Sequence, residues 1–249
     1  MPIDDVGKLE DEEPFPIWAG NPFINKIVNA DDLGVSIVDA ISAAHEQHCH
    51  FAHVIENICA EHGVVPRSRR PSLFLSEEEC RQALRLLSDL PRPILCVHPY
   101  GTSSPGEGHP WHREEWLKLI AEVSDRMSVL EVGLHRRGDK GLPTRRFRTT
   151  LRQMMAIVWA SDMFVGFDSS VAHVATAFAK PAVVLWEPIG KTEIDRDVQL
   201  GLGAAAYARW SYPENRNLIL LDDTQGDVRR ATLDWIESHR CAIGPFSPR

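Results

Sequence analysis

No apolar run in this sequence approaches the roughly 20 residues that cross a bilayer, and its start, Met-Pro-Ile-Asp-Asp, lacks the basic and apolar regions of a signal peptide. A soluble, cytoplasmic chain with no membrane span is expected. Cysteine is scarce: the five residues at 49, 59, 80, 96 and 241 form no C-x-x-C pair, which excludes a disulfide framework and suits reduced thiols. Positive charge is also in deficit, with 27 Lys and Arg against 35 Asp and Glu, a net charge of -8 and a pI near 5.8. A protein that lives on phosphate backbones needs the opposite balance, so no nucleic-acid partner is expected. The 16 Gly and 17 Pro are dispersed, which excludes collagenous and low-complexity chains. What remains, 43% hydrophobic and 25% charged over 249 residues, is the balance of one large domain or two small ones with ordinary cores.

The first 13 residues carry six acids and only Lys8 in opposition, and read as a solvated or disordered tail. Residues 14–90 read as a first portion. Phe15-Pro-Ile-Trp-Ala-Gly-Asn-Pro there suggests a short strand running into a turn. From Asp32 to Gly63, the residues Ile37, Ile41, Ala44, His48, Ala52, Ile55 and Cys59 recur at helical spacing, as one long helix or two short ones. Asp31 or Asp32 is a plausible cap and Gly63 a stop. After a polar, Pro-bounded connection, Ser76-Glu-Glu-Glu79 has the spacing of a capping box, ahead of an apolar helix through Leu87. The boundary falls near Leu90.

Residues 91–249 read as a second domain with a clear alternation. Ile94–Val97, Val129–Val132, Met163–Gly166, Ala182–Leu185 and Leu218–Leu221 are short continuous apolar runs of the kind found in buried parallel strands. Amphipathic stretches of helical length lie between or after them at Arg113–Arg126, Leu151–Ala160, Ser169–Ala179 and Val228–Arg240. This order predicts a doubly wound α/β sheet of Rossmann type. Ligands of such sheets bind beyond the carboxyl ends of the strands, which directs attention to the loops opening at His98, Gly133, Asp168 and Trp186.

Two of these loops carry unusual chemistry. The first, from His98 to His112, places three glycines and the hydroxyls of Thr102, Ser103 and Ser104 before the next helix, with His109 as a further donor. Such a loop can cradle a phosphate through its backbone N–H groups, or it can be an ordinary turn-rich connection. Trp111 and Trp116 beyond it suit packing of the following helix. The second, Gly166-Phe-Asp168-Ser-Ser-Val-Ala-His173, ends an apolar strand in an acid and two serines that open a helix. Asp168 and Ser169 can cap that helix, and its free N–H groups and positive dipole end suit a diphosphate. Capping accounts for Asp168 and Ser169 but not for His173, one turn further on.

Other clusters have simpler readings beside the chemical one. His45, His48, Cys49, His50, His53 and Glu56 are the densest set of ligand-type residues, and a metal site is possible there, although His48 falls on the apolar stripe where a core role suffices. Glu187–Glu193 can line a bound sugar or be a plain loop. Arg136, Arg137, Arg145, Arg146 and Arg148 form a local basic patch, for an anionic acceptor or as a solvated face.

The stretch from Thr149 to Trp186, Thr-Thr-Leu-Arg-Gln-Met-Met-Ala-Ile-Val-Trp-Ala-Ser-Asp-Met-Phe-Val-Gly-Phe-Asp-Ser-Ser-Val-Ala-His-Val-Ala-Thr-Ala-Phe-Ala-Lys-Pro-Ala-Val-Val-Leu-Trp, resembles the nucleotide-binding signature of the heptosyltransferase-like glycosyltransferases, family 9. That signature runs through a helix opened by "(T/M)SL", an Ala before a strand, "D-(S/T)-G-x-x-H-x-A-A", then a small residue, Pro and a strand. Thr102-Ser-Ser before Trp111 and Trp116 is similar to the family's hydroxyl-rich phosphate loop. The resemblance implies a GT-B-like α/β fold. Its Rossmann-type C-terminal domain holds a nucleoside-diphosphate sugar, often ADP-heptose, and the N-terminal α/β portion is here shortened.

It implies an inverting, metal-independent sugar transfer to an unknown acceptor, with no cofactor. Carried over by position, Thr102 and Ser103 meet the diphosphate with Ser104 and His109 nearby, and Thr149 lies by the base. Asp168 meets the donor sugar, and Ser169, Ser170, Val171 and His173 surround the phosphates. Ser170 stands where the family has Gly, and His109 where it has Lys. The family's general base, an Asp after its first strand, has no counterpart before Phe15. This leaves a non-catalytic nucleotide-sugar-binding or scaffold subunit, working with a partner, as the alternative. A shortened first domain also predicts self-association or a complex with another subunit.

Overall fold

The computed structural model describes residues 17, 20–23, 53–61, 63–99, 111, 113–133, 142–186, 210–220 and 224–240. These divide between two compact units. The first takes 17, 20, 72–186 and 213–240 of the described residues, and the second takes 21–23, 53–71 and 210–212.

The first unit is built on a six-stranded sheet of β1 (Ile94–His98), β2 (Ser128–Val132), β3 (Arg145–Phe147), β4 (Met163–Phe167), β5 (Ala182–Trp186) and β6 (Arg216–Ile219). Its order is β3-β2-β1-β4-β5-β6, and every pairing is parallel. The expected α/β sheet is therefore present. β1, β4 and β5 are buried along their whole length, because helices cover both faces of a parallel sheet.

The described helices are α1 (Val54–Glu61), α2 (Glu77–Leu86), α3 (Arg113–Val123), α4 (Leu151–Ala160), α5 (Ser170–Ala177) and α6 (Gln225–Arg240). A right-handed crossover from β1 to β2 and one from β3 back to β4 run in opposite directions, so α3 and α4 cover opposite faces of the sheet. On the α3 side, Trp111 and Trp116 are fully buried with ring centroids 4.7 Å apart, edge to face, and Trp116 meets Phe167 at 6.2 Å. Trp111 Nε1 donates to the Gln225 carbonyl at 3.3 Å. Both indoles are core, as expected. On the other side, α4 packs against α2 and α5 and buries Met154, Met155, Ile157 and Val158.

Caps fix where two helices begin. Ser76 Oγ accepts from the Glu79 N–H at 3.3 Å while the Ser76 N–H donates to Glu79 Oε2 at 2.7 Å, the reciprocal pair expected from the spacing. Thr150 and Gln153 make the same box at the start of α4, with both bonds at 3.1 Å. Glu79 also ties the two helices together, since Arg152 Nε and Nη2 both reach its carboxylate at 2.6 Å. That fork and the N-cap bonds outweigh the cost of burial and hold the Glu79 carboxyl down to about 2.

Two strands depart from expectation. β6 occupies Arg216–Ile219 rather than Leu218–Leu221; it is an edge strand with half-exposed residues, so the apolar run marks where the chain turns inward at buried Leu220 rather than the ladder itself. β3 carries the unpromising sequence Arg-Arg-Phe. It is held by a buried carboxylate: Glu131 of β2 accepts from Arg146 Nη2 at 3.1 Å, Thr144 Oγ1 at 3.2 Å and the Leu142 N–H at 3.4 Å. Arg145 Nη1 donates to both Asp89 carboxylate oxygens at 2.6 Å. Two members of the basic patch are thus bolts of an edge strand. At the opposite ends of the strands, Asp162 accepts from the Ile94 N–H at 2.7 Å and pairs with Arg92, joining the entries of β1 and β4.

In the second unit, α1 stops before Gly63, whose φ of +65° and the Val64 N–H to Cys59 carbonyl bond at 2.8 Å form the expected terminus. His53 is buried, accepts the Ile55 N–H on Nδ1 at 3.2 Å, and faces the Tyr212 ring at 5.1 Å. Of the rest of its cluster, Glu56 pairs with Arg69 at 2.8 Å, while His45, His48, Cys49 and His50 lie outside the described residues, as does the expected helix before Val54. Among the described residues, no group of His, Cys, Asp and Glu is arranged to hold a metal ion.

Candidate functional site

The strand order creates a crevice. From β1 the chain moves outward through β2 to β3 and then returns to place β4 on the other side of β1, so the connections leaving β1 and β4 diverge from adjacent strands. This is the topological switch point at which open α/β sheets take their ligands. His98, the last residue of β1, is in register with Gly166 of β4, two residues before Asp168. The β1 exit and the Asp168 turn therefore leave the sheet one strand spacing apart, about 4.8 Å.

Asp168 follows β4, with its N–H bonded to the Leu185 carbonyl at 3.1 Å. Its side chain is half-buried, and burial alone pushes its carboxyl up to about 6. Ser169 occupies the N-cap position in extended backbone, as expected, but caps nothing with its side chain. Its hydroxyl instead donates to the Phe167 carbonyl at 3.0 Å. That turned-back rotamer leaves the N–H groups of the first turn unserved by Ser169; the first intrahelical bond runs from the His173 N–H to the Ser169 carbonyl at 3.2 Å. Ser170 is exposed, Val171 buried and His173 half-buried. Ser170 and His173 are three residues apart and share a face.

Thr149 sits between the end of β3 and the Thr150 cap. With Phe147, Arg148, Arg152, Gln153 and the α2 residues Gln82 and Leu86, it borders a cavity of about 530 Å³. From β4 to β3 is three strand spacings, or about 14 Å. The sequence gives no sign of this cavity, because its two walls come from helices whose pairing depends on the distant Glu79–Arg152 bond.

The structure therefore brings Asp168, Ser169, Ser170, Val171 and His173 together and sets Thr149 along the same carboxyl edge. Thr102, Ser103, Ser104 and His109 lie outside the described residues, as do Arg136, Arg137 and the Glu187–Glu193 segment. Sequence reading marked His98 only as a loop entrance. The structure shows a buried ring whose Nδ1 lies 2.9 Å from the Val132 carbonyl.

Comparison with known proteins adds the chemistry attached to this arrangement elsewhere. No curated protein sequence matches the chain. The crystal structure of a family 9 glycosyl transferase from Veillonella parvula aligns with a TM-score of 0.56 at 14% identity, covering 77% of this chain and 61% of that one. ADP-heptose LPS heptosyltransferase II of E. coli gives 0.49 at 18% identity, covering 70% and 56%. E. coli heptosyltransferase WaaC with ADP-2-deoxy-2-fluoro heptose gives 0.45 at 13%, covering 75% and 54%. The chain thus spans between 54% and 61% of the length of these three proteins. Residues 147–199 match the model of glycosyltransferase family 9 (heptosyltransferase). The segment that carries Thr149, Asp168 and His173 therefore lies within the stretch that matches the glycosyltransferase family 9 model, and the α/β sheet around it is similar in fold to the Veillonella parvula structure.

Proposed function

We propose that the chain holds a nucleoside-diphosphate sugar along the carboxyl edge of its sheet and transfers the sugar, as a heptosyltransferase-like glycosyltransferase. ADP-heptose is the first donor to test. The observation that carries this reading is the meeting of the β1 and β4 exits at the switch point, inside a segment matched to family 9.

The N–H groups at the start of α5 and the positive end of its dipole oppose the charge that grows on a departing diphosphate. Ser170 and His173 supply donors from the same face, and Thr102, Ser103, Ser104 and His109 follow the β1 exit in sequence. Above about pH 6 the Asp168 carboxylate is an acceptor only, suited to a sugar hydroxyl rather than to phosphate oxygen. The span of about 14 Å toward Thr149 suits a nucleoside reaching from the diphosphate to its base.

In the transfer, the acceptor hydroxyl attacks the anomeric carbon from the side opposite the diphosphate. The carbon–oxygen bond to the phosphate breaks with its electron pair leaving on the diphosphate, and the acceptor proton passes to a general base. Inversion at the anomeric carbon follows from that single displacement.

The test is to incubate the purified chain with ADP-, UDP- and GDP-sugars, with and without simple acceptors, and to follow nucleoside diphosphate release. Release from one donor class is expected, at a rate lowered at least tenfold in Asp168→Ala. Donor binding with no release under any acceptor would instead make the chain a donor-binding subunit.

A further inference from the structure

We propose that the cavity between α2 and α4 binds an amphipathic anion, a compact apolar body carrying one carboxylate, sulfonate or phosphate, at a site separate from that of the nucleotide donor. Every residue that lines it is described and belongs to the first unit. Its volume of about 530 Å³ falls within the range of small-molecule sites.

The walls follow from helical spacing and are tied in place. Glu79, Gln82, Ala83 and Leu86 recur along one face of α2, and Arg152 and Ala156, one turn apart, belong to the α4 wall. At the start of both helices the Glu79–Arg152 pair joins them at 2.6 Å. At the far end of α2, Arg145 of β3 donates to the Leu86 carbonyl at 3.5 Å and to Asp89 at 2.6 Å. α2 is thus fixed to α4 at one end and to β3 at the other. Ala83 and Ala156 are small and buried, and a longer side chain at either would reach into the space.

Two features of the lining have no role in holding the fold. Leu86 is 43% exposed within this concavity, whereas Leu87 beside it is buried in the core. An apolar side chain left wet in a concave wall favours an apolar ligand that covers it. The other feature is charge. Arg145, Arg146 and Arg152 pair with Asp89, Glu131 and Glu79, but Arg148 has no carboxylate partner among the described residues. Because Glu79 and Arg152 offset each other, the lining keeps the positive charge of Arg148.

A guanidinium takes a carboxylate, sulfonate or phosphate through paired N–H donors. Beside it Thr149 offers a hydroxyl. Gln153, whose Oε1 accepts the Thr150 N–H at 3.1 Å, keeps its amide N–H groups for an anion. The apolar body of the ligand then lies against Leu86, Phe147 and Ile157.

The probe is 8-anilinonaphthalene-1-sulfonate, an aromatic body with one sulfonate that fluoresces on leaving water. Its neutral counterpart, N-phenyl-1-naphthylamine, lacks only the sulfonate. Both are titrated into the full chain after its thermal transition has shown it to be folded, since loosely packed states also take up the dye. A single saturable site is expected for each. Arg148→Gln should weaken the sulfonate at least fivefold and the neutral dye less than twofold. Ala83→Leu, which fills the cavity, should weaken both at least fivefold; if that chain does not fold, Leu86→Gln, at an exposed position, is expected to do the same.

Absence of saturable binding to wild type would overturn the proposal. So would binding unchanged in the cavity variants, the mark of an adventitious apolar patch, or equal losses of the two dyes in Arg148→Gln. Displacement of bound dye by ADP, UDP or GDP would make the cavity the base end of the donor site and overturn a separate ligand, leaving the nucleotide reading intact. The predicted dye results from a chain that binds none of the three nucleotides would instead overturn the nucleotide reading and support this inference.

Discussion

The Asp168 carboxyl, pushed up to about 6 by burial against an ordinary value near 3.9, binds its proton more tightly in the folded chain than in the unfolded one. Stability from that proton is fully present below about pH 4 and is lost as pH rises through about 6. Asp168→Asn removes the loss. The urea midpoint of the variant should exceed wild type at pH 8 by the equivalent of roughly 1–2 kcal/mol, and the two should converge at pH 4. A variant less stable than wild type at pH 8 would contradict the burial argument. A carboxylate kept at such a cost at a strand end fits a residue placed for a ligand rather than for the fold. The residue types of this site were legible in the sequence, from Asp168 through His173. The rotamer of Ser169 was not, because whether a hydroxyl caps forward or turns back to Phe167 depends on the local backbone rather than on residue type.

At the scale of elements, burial and pairing decide which strands hold. Glu131 is fully buried, and the cost of burial raises its carboxyl despite Arg146 and two further donors. Arg146→Met would remove the cation that faces that buried charge, and should destabilise the unit by about 3 kcal/mol in urea at pH 8. The deficit should shrink at pH 5 as Glu131 takes up a proton, and a pH-independent deficit would argue against the charge as its source. The capping boxes are worth less: Ser76→Ala and Thr150→Ala should each cost about 1 kcal/mol, near-additively if α2 and α4 start independently.

Strong coupling between them would point to the Glu79–Arg152 bond, since Glu79 belongs to both the cap and the fork. α4 was legible to the residue, as Leu151–Ala160, because a Thr cap, a helical apolar period and a following strand all agree there. β3 was invisible. Arg-Arg-Phe has no apolar run, and its place is fixed by Glu131 and Asp89, which lie at least 14 residues earlier in sequence.

At the scale of the whole molecule, sheet topology does what no single motif does. Short apolar runs alternating with helical stretches were enough to predict a doubly wound sheet, but not its order, since nothing local in β1 says that β4 will lie beside it. The order is what sets the carboxyl ends of β1 and β4 side by side. Among the described residues no helix is long and apolar enough to cross a membrane.

Among the described residues the sheet ends at β3 and β6, and Ile219 on β6 is 41% exposed. We propose that the chain self-associates to cover such edges, with a mass above the monomer expected in light scattering and a monomeric mass across micromolar concentrations contradicting it. The measurement that bears most directly on the account is calorimetric titration of the purified chain with ADP, UDP and GDP, without metal and then with it. Saturable binding of one nucleoside diphosphate in preference to the other two, weakened at least tenfold in His173→Ala, is the predicted result. Failure of all three to bind would contradict the diphosphate site at the β1 and β4 exits, and with it the proposed transferase activity.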